Sequence, residues 1–526
     1  MLCYISAMES CVLSSWKLHD RLLTELCAIL ESSFCTMKLL TSLLYGALFA
    51  AEVTGKKLTA SQVEGDIKKS KLKQTLSDLN KIGVANGGNR AFGLPGYKAS
   101  LDYILSIVEG KYGKYLDTYV QPFNHTFEQT RDIWVRGPDG EDEYVITLIY
   151  NSATPTPDGV TAELIPVPVD LERGSGCFED QWDGIDATGK IALVMRGSCA
   201  ISDKLKLAKA HGALAVILIN QIPGDNIGSA TLGAENLGLL VPVGVIRYAV
   251  GTGWLERLAA GETLEATLLV DSINEIRESW NIISETKEGD PNNVVMLGAH
   301  LDSVQAGPGI NDDGSGTAAI LEVAKSFSKY KGYTNKVRFA WWGAEESGLI
   351  GSLYYGSQLT SGEADKIRFY FNYDMIGSPY PTYSVYANND GDKVGGDIIL
   401  KWLQKKGKDA QYGEFGSSSD YVAFLELGIP SSGIFTGADS ETDPCYHLAC
   451  DTTDNINWSA LTLNAKTAGR AAAQFALSLE GVPPRAQTST NPKSKRSLAL
   501  SFEKWEAKVK VVGKQHSCAA SGKVVV

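Results

Sequence analysis

Apolar positions early in the chain follow a helical pattern. Within residues 56–130, Leu72, Leu76, Leu79 and Ile82 recur three or four positions apart. This spacing places side chains on one face of an α-helix. We therefore predict mainly helical structure for this segment.

The pattern changes three more times along the chain. From 131 to 278, short β-branched runs are broken by Gly, Pro and Asp, which predicts a β-rich domain. From 279 to 481, apolar strands such as VVML alternate with helical segments such as GTAAILEVAKSFSKY. This alternation predicts an α/β domain with a mixed, largely parallel central sheet flanked by helices. Residues 482–526 are polar and typical of a disordered tail.

Length and charge narrow the classes of protein that fit. The 526 residues exceed the roughly 250–300 at which one hydrophobic core stops growing, so at least two domains are expected. With 44% hydrophobic and 21% charged residues, the composition is that of an ordinary globular protein. The net charge of −12 argues against nucleic acid or an anionic membrane as partner, because both bind basic surfaces.

The segment MKLLTSLLYGALFAAEVTG, residues 37–55, has the form of a secretory signal peptide. A lysine precedes an apolar run from Leu39 to Ala51, and small residues follow at candidate cleavage points. The run is shorter than the roughly 20 residues of a membrane span, and a buried helix is the alternative. We predict that residues 1–36 are a gene-model extension, that translation starts at Met37, and that the protein is secreted without a membrane anchor. A vacuolar destination shares the same signal.

Cysteine spacing agrees with an oxidising compartment. Four of the nine cysteines lie in the first 36 residues, and one lies near the C-terminus. The remaining four form two local pairs, which favour the disulfides Cys177–Cys199 and Cys445–Cys450.

Polar side chains cluster where apolar strands of the α/β domain end. They are His300 and Asp302 after VVML, Asp312 and Asp313 in the next loop, Glu345 and Glu346 after VRFAWW, and Asp374 after RFYFNY. Each cluster alone has an ordinary explanation as a turn, a helix cap or a solvated surface. Ligands bind outside the carboxyl ends of strands in open α/β sheets, so clusters at such positions are expected to converge.

Carboxylates packed together repel one another unless cations neutralise them. Histidine and carboxylate ligands suit zinc, and a bridging carboxylate suits a two-metal hydrolytic centre. A second histidine is expected downstream, and His447 lies in the short loop that Cys445–Cys450 would close. The alternative for His447 is a buried structural histidine.

The motifs GAHLDSV, GINDDGSG, WWGAEESGLIGS, NYDMIGSP and CYHLACDT resemble those of secreted fungal zinc aminopeptidases of the aminopeptidase Y and leucine aminopeptidase family. The resemblance covers roughly residues 80–480. It implies two zinc ions per chain, with His300 and Asp374 on one ion and Glu346 and His447 on the other. Asp312 would bridge the two ions.

The same resemblance implies roles in catalysis. Glu345 would be the general base, Asp302 would orient His300, and Tyr446 would stabilise the oxyanion. Adjacent residues leaving a strand point to opposite sides, which agrees with separate roles for Glu345 and Glu346. The implied reaction is hydrolysis of the N-terminal peptide bond by a water that two zinc ions activate.

The segment DATGKIALVMRGSCAISDKLKLAKAHGALAVILIN, residues 186–220, resembles part of a protease-associated domain. Such a domain would occupy 131–278 and contain Cys177–Cys199. It would be inserted into a peptidase domain formed by 56–130 and 279–481. Its expected role is substrate access or interaction, not chemistry.

The expected partners are peptide substrates with a free N-terminus, preferably with an apolar first residue such as leucine, and the expected state is a monomer. Sequons at Asn124 and Asn457 permit N-glycosylation of a secreted chain. Three alternatives share the scaffold: carboxypeptidases, single-zinc glutaminyl cyclases and receptor ectodomains with a dead metal site. A dead site predicts lost ligands, whereas here all the ligand positions are filled.

Overall fold

A computed structural model describes residues 56–225, 227–228 and 230–486 of the chain. The predicted extension 1–36, the predicted signal segment 37–55 and the tail beyond 486 lie outside the described residues, as do five of the nine cysteines. Lys56–Lys57 pairs in parallel with Tyr330–Lys331, and these residues belong to a small compact unit of their own.

The helical pattern at the start of the chain corresponds to three helices. They are α1 (Ala60–Asp66), α2 (Lys69–Ala85) and α3 (Pro95–Val108). The prediction of mainly helical structure up to residue 130 is wrong beyond Val108, because Leu116–Arg136 form a 21-residue strand, β1. Phe123, His125 and Phe127 are buried while Asn124 between them is exposed, and this period of two is that of a strand.

Strand β1 pairs with a second long strand, β8 (Glu265–Thr286), in an antiparallel ribbon. The pairing extends from Leu116 opposite Thr286 to Arg136 opposite Thr267. The domain boundaries predicted at 131 and 278 therefore fall inside these strands. We call residues 137–264 the insert, and residues 58–115, 287–328 and 333–486 the main region. The ribbon connects the two by continuous sheet.

The insert is a small α/β unit built on six strands and two helices. Its elements are β2 (Asp142–Glu143), β3 (Val145–Ile146), β4 (Val160–Pro166), β5 (Ile191–Met195), α4 (Ile201–Ala210), β6 (Ala215–Ile219), β7 (Val243–Ile246) and α5 (Tyr248–Ala259). β4, β5, β6 and β7 are parallel neighbours, and β4 joins β8 in antiparallel fashion. Strands β3 and β7 pair in antiparallel fashion, whereas the short β2 pairs with β1 of the ribbon. Strands β5 and β6 are buried along their whole length.

The main region contains the remaining elements. They are β9 (Asp290–His300), α6 (Gly314–Phe327), β10 (Asn335–Trp342), α7 (Ile350–Gln358), α8 (Ser361–Lys366), β11 (Ile367–Tyr373), β12 (Tyr383–Tyr386), α9 (Asp390–Lys405), β13 (Ala410–Gly413), α10 (Tyr421–Glu426), β14 (Ser431–Phe435) and α11 (Trp458–Leu477). The sheet order is β13-β12-β14-β11-β9-β10-β8.

Most pairings in this sheet are parallel. β9 is parallel to both β10 and β11, and β11 is parallel to β14. β10 with β8 and β12 with β14 are antiparallel. The predicted α/β fold with a mixed, largely parallel sheet is confirmed.

Helices cover both faces of the main sheet. Helix α6 is buried along almost its whole length and packs against β9, α2 and α11. On the other face, α7 and α10 enclose an aromatic core in which Trp342, Tyr355 and Phe424 contact one another. Because both faces are covered, the carboxyl edge of β9, β10 and β11 is where polar groups can gather.

Both predicted disulfides are present, Cys177–Cys199 in the insert and Cys445–Cys450 in the main region. In the part of the chain that the structure describes, no helix is both long enough and apolar enough to cross a membrane.

Candidate metal and catalytic site

Parallel strands bring the predicted site residues to one edge of the main sheet. His300 ends β9 and lies opposite Trp342, which ends β10. Glu345 and Glu346 follow in the turn after β10, and Asp374 directly follows β11. Since these strand ends are adjacent, side chains that are far apart in sequence lie together.

Asp312 lies between two histidines, one at the end of strand β9 and one in the loop between Cys445 and Cys450. Its Oδ1 is 3.0 Å from Nε2 of His300, and its Oδ2 is 3.2 Å from Nε2 of His447. A carboxylate that offers one oxygen to each of two imidazoles has the arrangement of a bridging ligand.

Further carboxylates complete the surroundings of each histidine. Nε2 of His300 lies 3.8 Å from Oδ1 of Asp374 and 3.9 Å from Oε2 of Glu345. Nε2 of His447 lies 3.1 Å from Oε2 of Glu346. Two triads, His300–Asp312–Glu346 and His300–Glu345–Asp374, have ligand atoms within 4.8 Å of one another. The second triad contains Glu345, the residue expected to act as base.

Two buried carboxylate oxygens in this group have no hydrogen-bond partner among the described residues. They are Oε1 of Glu346 and Oδ1 of Asp374. A buried, unpaired carboxylate oxygen costs free energy that a coordinated cation would offset. The donor set of imidazole and carboxylate therefore fits zinc.

The pKa values in the site show how strongly its charges interact. Burial by itself would raise the pKa of Asp312, but hydrogen bonds with His300 and His447 outweigh it and lower that pKa. Burial raises the pKa of Glu345 well above its ordinary value, and the nearby carboxylates of Asp420, Glu346 and Asp374 raise it further. The raised pKa increases the affinity of the Glu345 carboxylate for a proton, as the role of a general base requires.

Asp302 connects the histidine strand to the glutamate turn. Nδ1 of His300 lies 3.2 Å from the carbonyl oxygen of Asp302 and 3.7 Å from its Oδ1. The Asp302 carboxylate also accepts hydrogen bonds from the backbone N–H groups of Glu345 (3.1 Å) and Glu346 (3.3 Å). Asp302 thus contacts three of the predicted site residues without lying between the two histidines.

Asp313, which follows the bridging residue, caps the buried helix α6. Its carboxylate accepts from the backbone N–H groups of Gly316 (2.8 Å), His300 (3.2 Å) and Met375 (3.3 Å). A Cβ atom on Gly316 would lie 1.8 Å from the carbonyl oxygen of Tyr373. Glycine at this position therefore lets α6 start close to the end of β11.

The loop that carries His447 is anchored to the Asp312 loop by buried polar groups. The carboxylate of Asp451 accepts from the backbone N–H groups of Asn311 (2.9 Å) and Asp312 (3.1 Å). The Asn311 side chain donates to Asp443 at 2.6 Å. Together with the Cys445–Cys450 disulfide, these bonds hold the two histidines on opposite sides of Asp312.

Tyr446 stacks on the ring of His447, with ring centroids 3.8 Å apart. Burial raises the pKa of the Tyr446 hydroxyl well above its ordinary value, and the carboxylates of Asp312, Glu346 and Glu345 add to this effect. The phenol is therefore protonated at physiological pH and available as a hydrogen-bond donor beside the carboxylate cluster.

Sequence reasoning missed a hydrogen-bond chain behind Asp374. Oδ2 of Asp374 accepts from the hydroxyl of Ser419 at 2.6 Å, and that hydroxyl accepts from Nδ2 of Asn372 at 2.8 Å. The hydroxyl of Tyr370 donates to Oδ1 of Asn372 at 3.0 Å. The serines before α10 look like an ordinary polar loop in the sequence, so no local signal marks Ser419.

Arg90 was also missed, although it is completely buried beside the site. It lies in the loop after α2, and its guanidinium donates to the carbonyl groups of Leu301, Pro308 and Gly309. These carbonyls belong to the loop between His300 and Asp312. A single arginine in a glycine-rich loop gives no sequence signal for such a role.

The two sequons differ in their surroundings. Asn124 is exposed on β1. Asn457 is partly buried and caps α11, where Oδ1 accepts from the N–H groups of Ser459 and Ala460. Its Nδ2, the atom that would carry a glycan, donates to the carbonyl of Pro379 at 3.1 Å.

Comparison with known proteins gives two matching families. The sequence profile of peptidase family M28 matches residues 281–472, and that of the PA domain matches residues 160–254. The chain is 34% identical over 450 residues to aminopeptidase Y of Saccharomyces cerevisiae, covering 81% of this chain and 82% of that protein. It is 36% identical over 440 residues to the probable leucine aminopeptidase 2 of Aspergillus fumigatus, covering 78% and 84%.

Solved structures give the same result. An aminopeptidase from Aneurinibacillus sp. strain AM-1 superposes with a TM-score of 0.64 at 27% identity, covering 82% of this chain and 98% of that chain. A zinc aminopeptidase from Bacillus subtilis gives a TM-score of 0.60 at 27% identity, covering 79% and 99%. The expectation that the protein is an enzyme is confirmed. The chain contains a PA domain and belongs to peptidase family M28.

Proposed function

We propose that the protein is a two-zinc aminopeptidase that removes the first residue of peptides with a free N-terminus. The observation that carries this proposal is Asp312, whose two carboxylate oxygens each face a histidine at about hydrogen-bond distance. Relatives named aminopeptidase, from a yeast and from bacteria, support the class of substrate.

In this proposal His300 and Asp374 would hold one ion, Glu346 and His447 would hold the other, and Asp312 would offer one carboxylate oxygen to each. The unpartnered oxygens of Glu346 and Asp374 are the natural additional donors. When bound, zinc supplies Lewis-acid polarisation of the carbonyl and lowers the pKa of water.

The protein's own groups move the protons and stabilise charge. Glu345 takes a proton from the attacking water and returns it to the departing amine, a role that suits its buried carboxyl with a raised pKa. The protonated hydroxyl of Tyr446 donates a hydrogen bond to the oxyanion. Asp302 fixes the position of the His300 ring relative to the turn that carries Glu345 and Glu346, because it contacts both.

Selection of a free N-terminus follows from the surplus of carboxylates. Asp420 is buried near Glu345 and Asp374, and burial raises its pKa to about 8. One of its oxygens, Oδ1, has no hydrogen-bond partner among the described residues. An ammonium group would stabilise these carboxylates, whereas an acetylated N-terminus would not. A preference for leucine is part of the proposal, supported by relatives named leucine aminopeptidase 2.

We propose that the enzyme is secreted, because two disulfides form in the described chain. Asn124 is then the glycosylation site, since the amide nitrogen of Asn457 is already hydrogen-bonded. Mass spectrometry of the secreted protein tests this. A glycan on Asn457 and none on Asn124 would contradict it.

The function is tested on protein expressed from Met37, with zinc content measured before and after chelation. We expect about two zinc ions per chain, release of leucine from Leu-p-nitroanilide, loss of activity with chelator and recovery with zinc. Matched peptides with free and acetylated N-termini provide the control. Cleavage of the acetylated peptide at its C-terminus would instead indicate a carboxypeptidase, and a folded, zinc-free, inactive protein would indicate a binding module.

A further inference from the structure

A cleft of about 240 Å³ lies between the insert and the main region, beside the proposed metal site. The main region contributes Gln305 and Glu346, the ribbon contributes Phe127 and Glu128, and the insert contributes Tyr150. Glu346 is one of the proposed zinc ligands, so the cleft begins at the reaction centre.

The shape of this cleft suits a continuing chain better than a single side chain. A peptide cut by an aminopeptidase has one residue before the scissile bond and all the others after it. A pocket for the first residue can be closed, whereas the space for the rest must lead to solvent. Ile149, in the insert wall of the cleft, is 46% exposed, so this side is open.

The described residues that line the cleft include two carboxylates, Glu128 and Glu346, and no lysine, arginine or histidine. Among the described residues, the Glu128 carboxylate accepts one side-chain hydrogen bond, from the hydroxyl of Thr130 at 3.2 Å, and forms no ion pair. Burial raises the pKa of Glu128 to about 7. A carboxylate partly withdrawn from water without a cation beside it is a ready partner for one.

Glu128 is also held in place at the edge of the site. Its backbone carbonyl accepts from Nε2 of Gln305 at 2.6 Å. Gln305 follows Asp302 by three residues, so the strand that carries Glu128 is tied to the loop that leads from His300 to Asp312. A side chain on this strand therefore has a defined position relative to the reaction centre.

We propose that this cleft binds the peptide chain that follows the scissile bond, and that Glu128 selects a lysine or arginine side chain there. The inference rests on the proposed aminopeptidase function. It adds a charge preference on the far side of the scissile bond, which Glu128 provides and which is separate from the pocket for the first residue.

The test compares kcat/KM for leucine release from two sets of peptides at about pH 8.5, where Glu128 is ionised. One set is Leu-Lys-Ala and Leu-Ala-Lys, and the other is Leu-Glu-Ala and Leu-Ala-Glu. We expect the better lysine peptide to exceed its glutamate counterpart by about ten-fold, the effect of a partly desolvated charge pair. Glu128→Gln should reduce this ratio to about two-fold or less, and Glu128→Lys should invert it.

Glu278→Gln is the matched control, because Glu278 is exposed on the neighbouring strand of the same ribbon. It should leave the ratio unchanged. Because each ratio is measured within one enzyme, a partial loss of folded protein does not affect it. Equal rates for the two peptide sets in the wild type, or an unchanged ratio in Glu128→Gln, would overturn the inference alone. Failure of the wild type to release leucine from any peptide would overturn the proposed function as well.

Discussion

In the insert, the parallel strands β5, β6 and β7 lead into Arg196, Asn220 and Arg247, whereas in the main region β9 and β11 lead to His300 and Asp374. The strand-end arginines of the insert have ordinary structural partners. Arg196 donates to the carbonyl of Gly228 and Arg247 pairs with Asp225. Among the described residues, the groups that could hold a metal all lie in the main region.

The two regions thus share a strand arrangement and differ in what stands at its edge. Parallel strands provide a place where side chains from distant positions meet, and the identity of those side chains decides whether chemistry is available there. Substitutions matched between the two regions test this contrast.

Replacing Glu345 with Gln should lower kcat by about 10³-fold, because the amide cannot take a proton from water. Zinc content measured on the same protein should stay at the wild-type value. The insert variant Glu179→Gln is the control, since Glu179 is exposed and pairs with His211, far from the predicted ligands. Loss of zinc from Glu345→Gln would show that Glu345 is a ligand, as its triad with His300 and Asp374 allows.

Replacing Arg90 with Met should lower the free energy of unfolding by about 3 kcal/mol, because three buried carbonyl groups lose their donor. Urea denaturation measures this, and zinc affinity should fall as the loop between His300 and Asp312 loosens. Arg196→Met in the insert is the matched comparison, since Arg196 bonds one carbonyl. It should cost about 1 kcal/mol, and equal costs for the two variants would remove the contrast.

Removing either disulfide should lower the free energy of unfolding, but only removal of Cys445–Cys450 should also lower activity. Serine replacement of Cys177 and Cys199, which are 22 residues apart, should cost roughly 3 kcal/mol of unfolding free energy and little activity. Serine replacement of Cys445 and Cys450, which are 5 apart, should cost roughly 2 kcal/mol but reduce activity, because the loop between them carries His447. Thermal denaturation and Leu-p-nitroanilide assays distinguish these outcomes. Equal losses of activity would contradict the separate roles of the two regions.

His125 should make the free energy of unfolding sensitive to acid at the contact between the ribbon and the insert. It is buried on the ribbon, its Nε2 lies 3.3 Å from the hydroxyl of Tyr150 of the insert, and burial lowers its pKa to about 4. As pH falls, His125 in the unfolded chain is protonated near its ordinary pKa of 6.5, whereas in the folded protein it stays neutral until about pH 4. The free energy of unfolding is therefore retained above pH 6.5 and falls as pH decreases from 6.5 towards 4.

From about pH 7 to about pH 5 this residue should account for roughly 2 kcal/mol of lost unfolding free energy. His125→Gln removes the titrating group and should reduce the acid loss by that amount in urea denaturation. An unchanged pH dependence in His125→Gln would show that His125 is not the origin.

Much of the fold was predictable, because strands and helices differ in the spacing of their apolar residues. The alternation from 279 to 481 gave the α/β class correctly. The stretch from 116 to 130 was misassigned because helical spacing in α2 and α3 was extended past Val108. The alternation at Phe123, His125 and Phe127 was the contrary signal. The pairing of the two long ribbon strands could not be predicted from local patterns, since the paired residues are about 150 positions apart in sequence.

For the site, the sequence determined which groups are present and their order behind successive strands. It supplied His300, Asp312, Glu345, Glu346 and Asp374 as a set that requires a cation, because such carboxylates cannot lie together uncompensated. The family resemblance implied a bridging Asp312, and the structure gives its distances to His300 and His447. Only the tertiary structure decided that Arg90 and Ser419 support the site and that Glu128 lines a cleft shared with the insert. The physical reason is that local spacing fixes the period of an element, whereas contacts between distant elements depend on how sheet edges and loops pack in three dimensions.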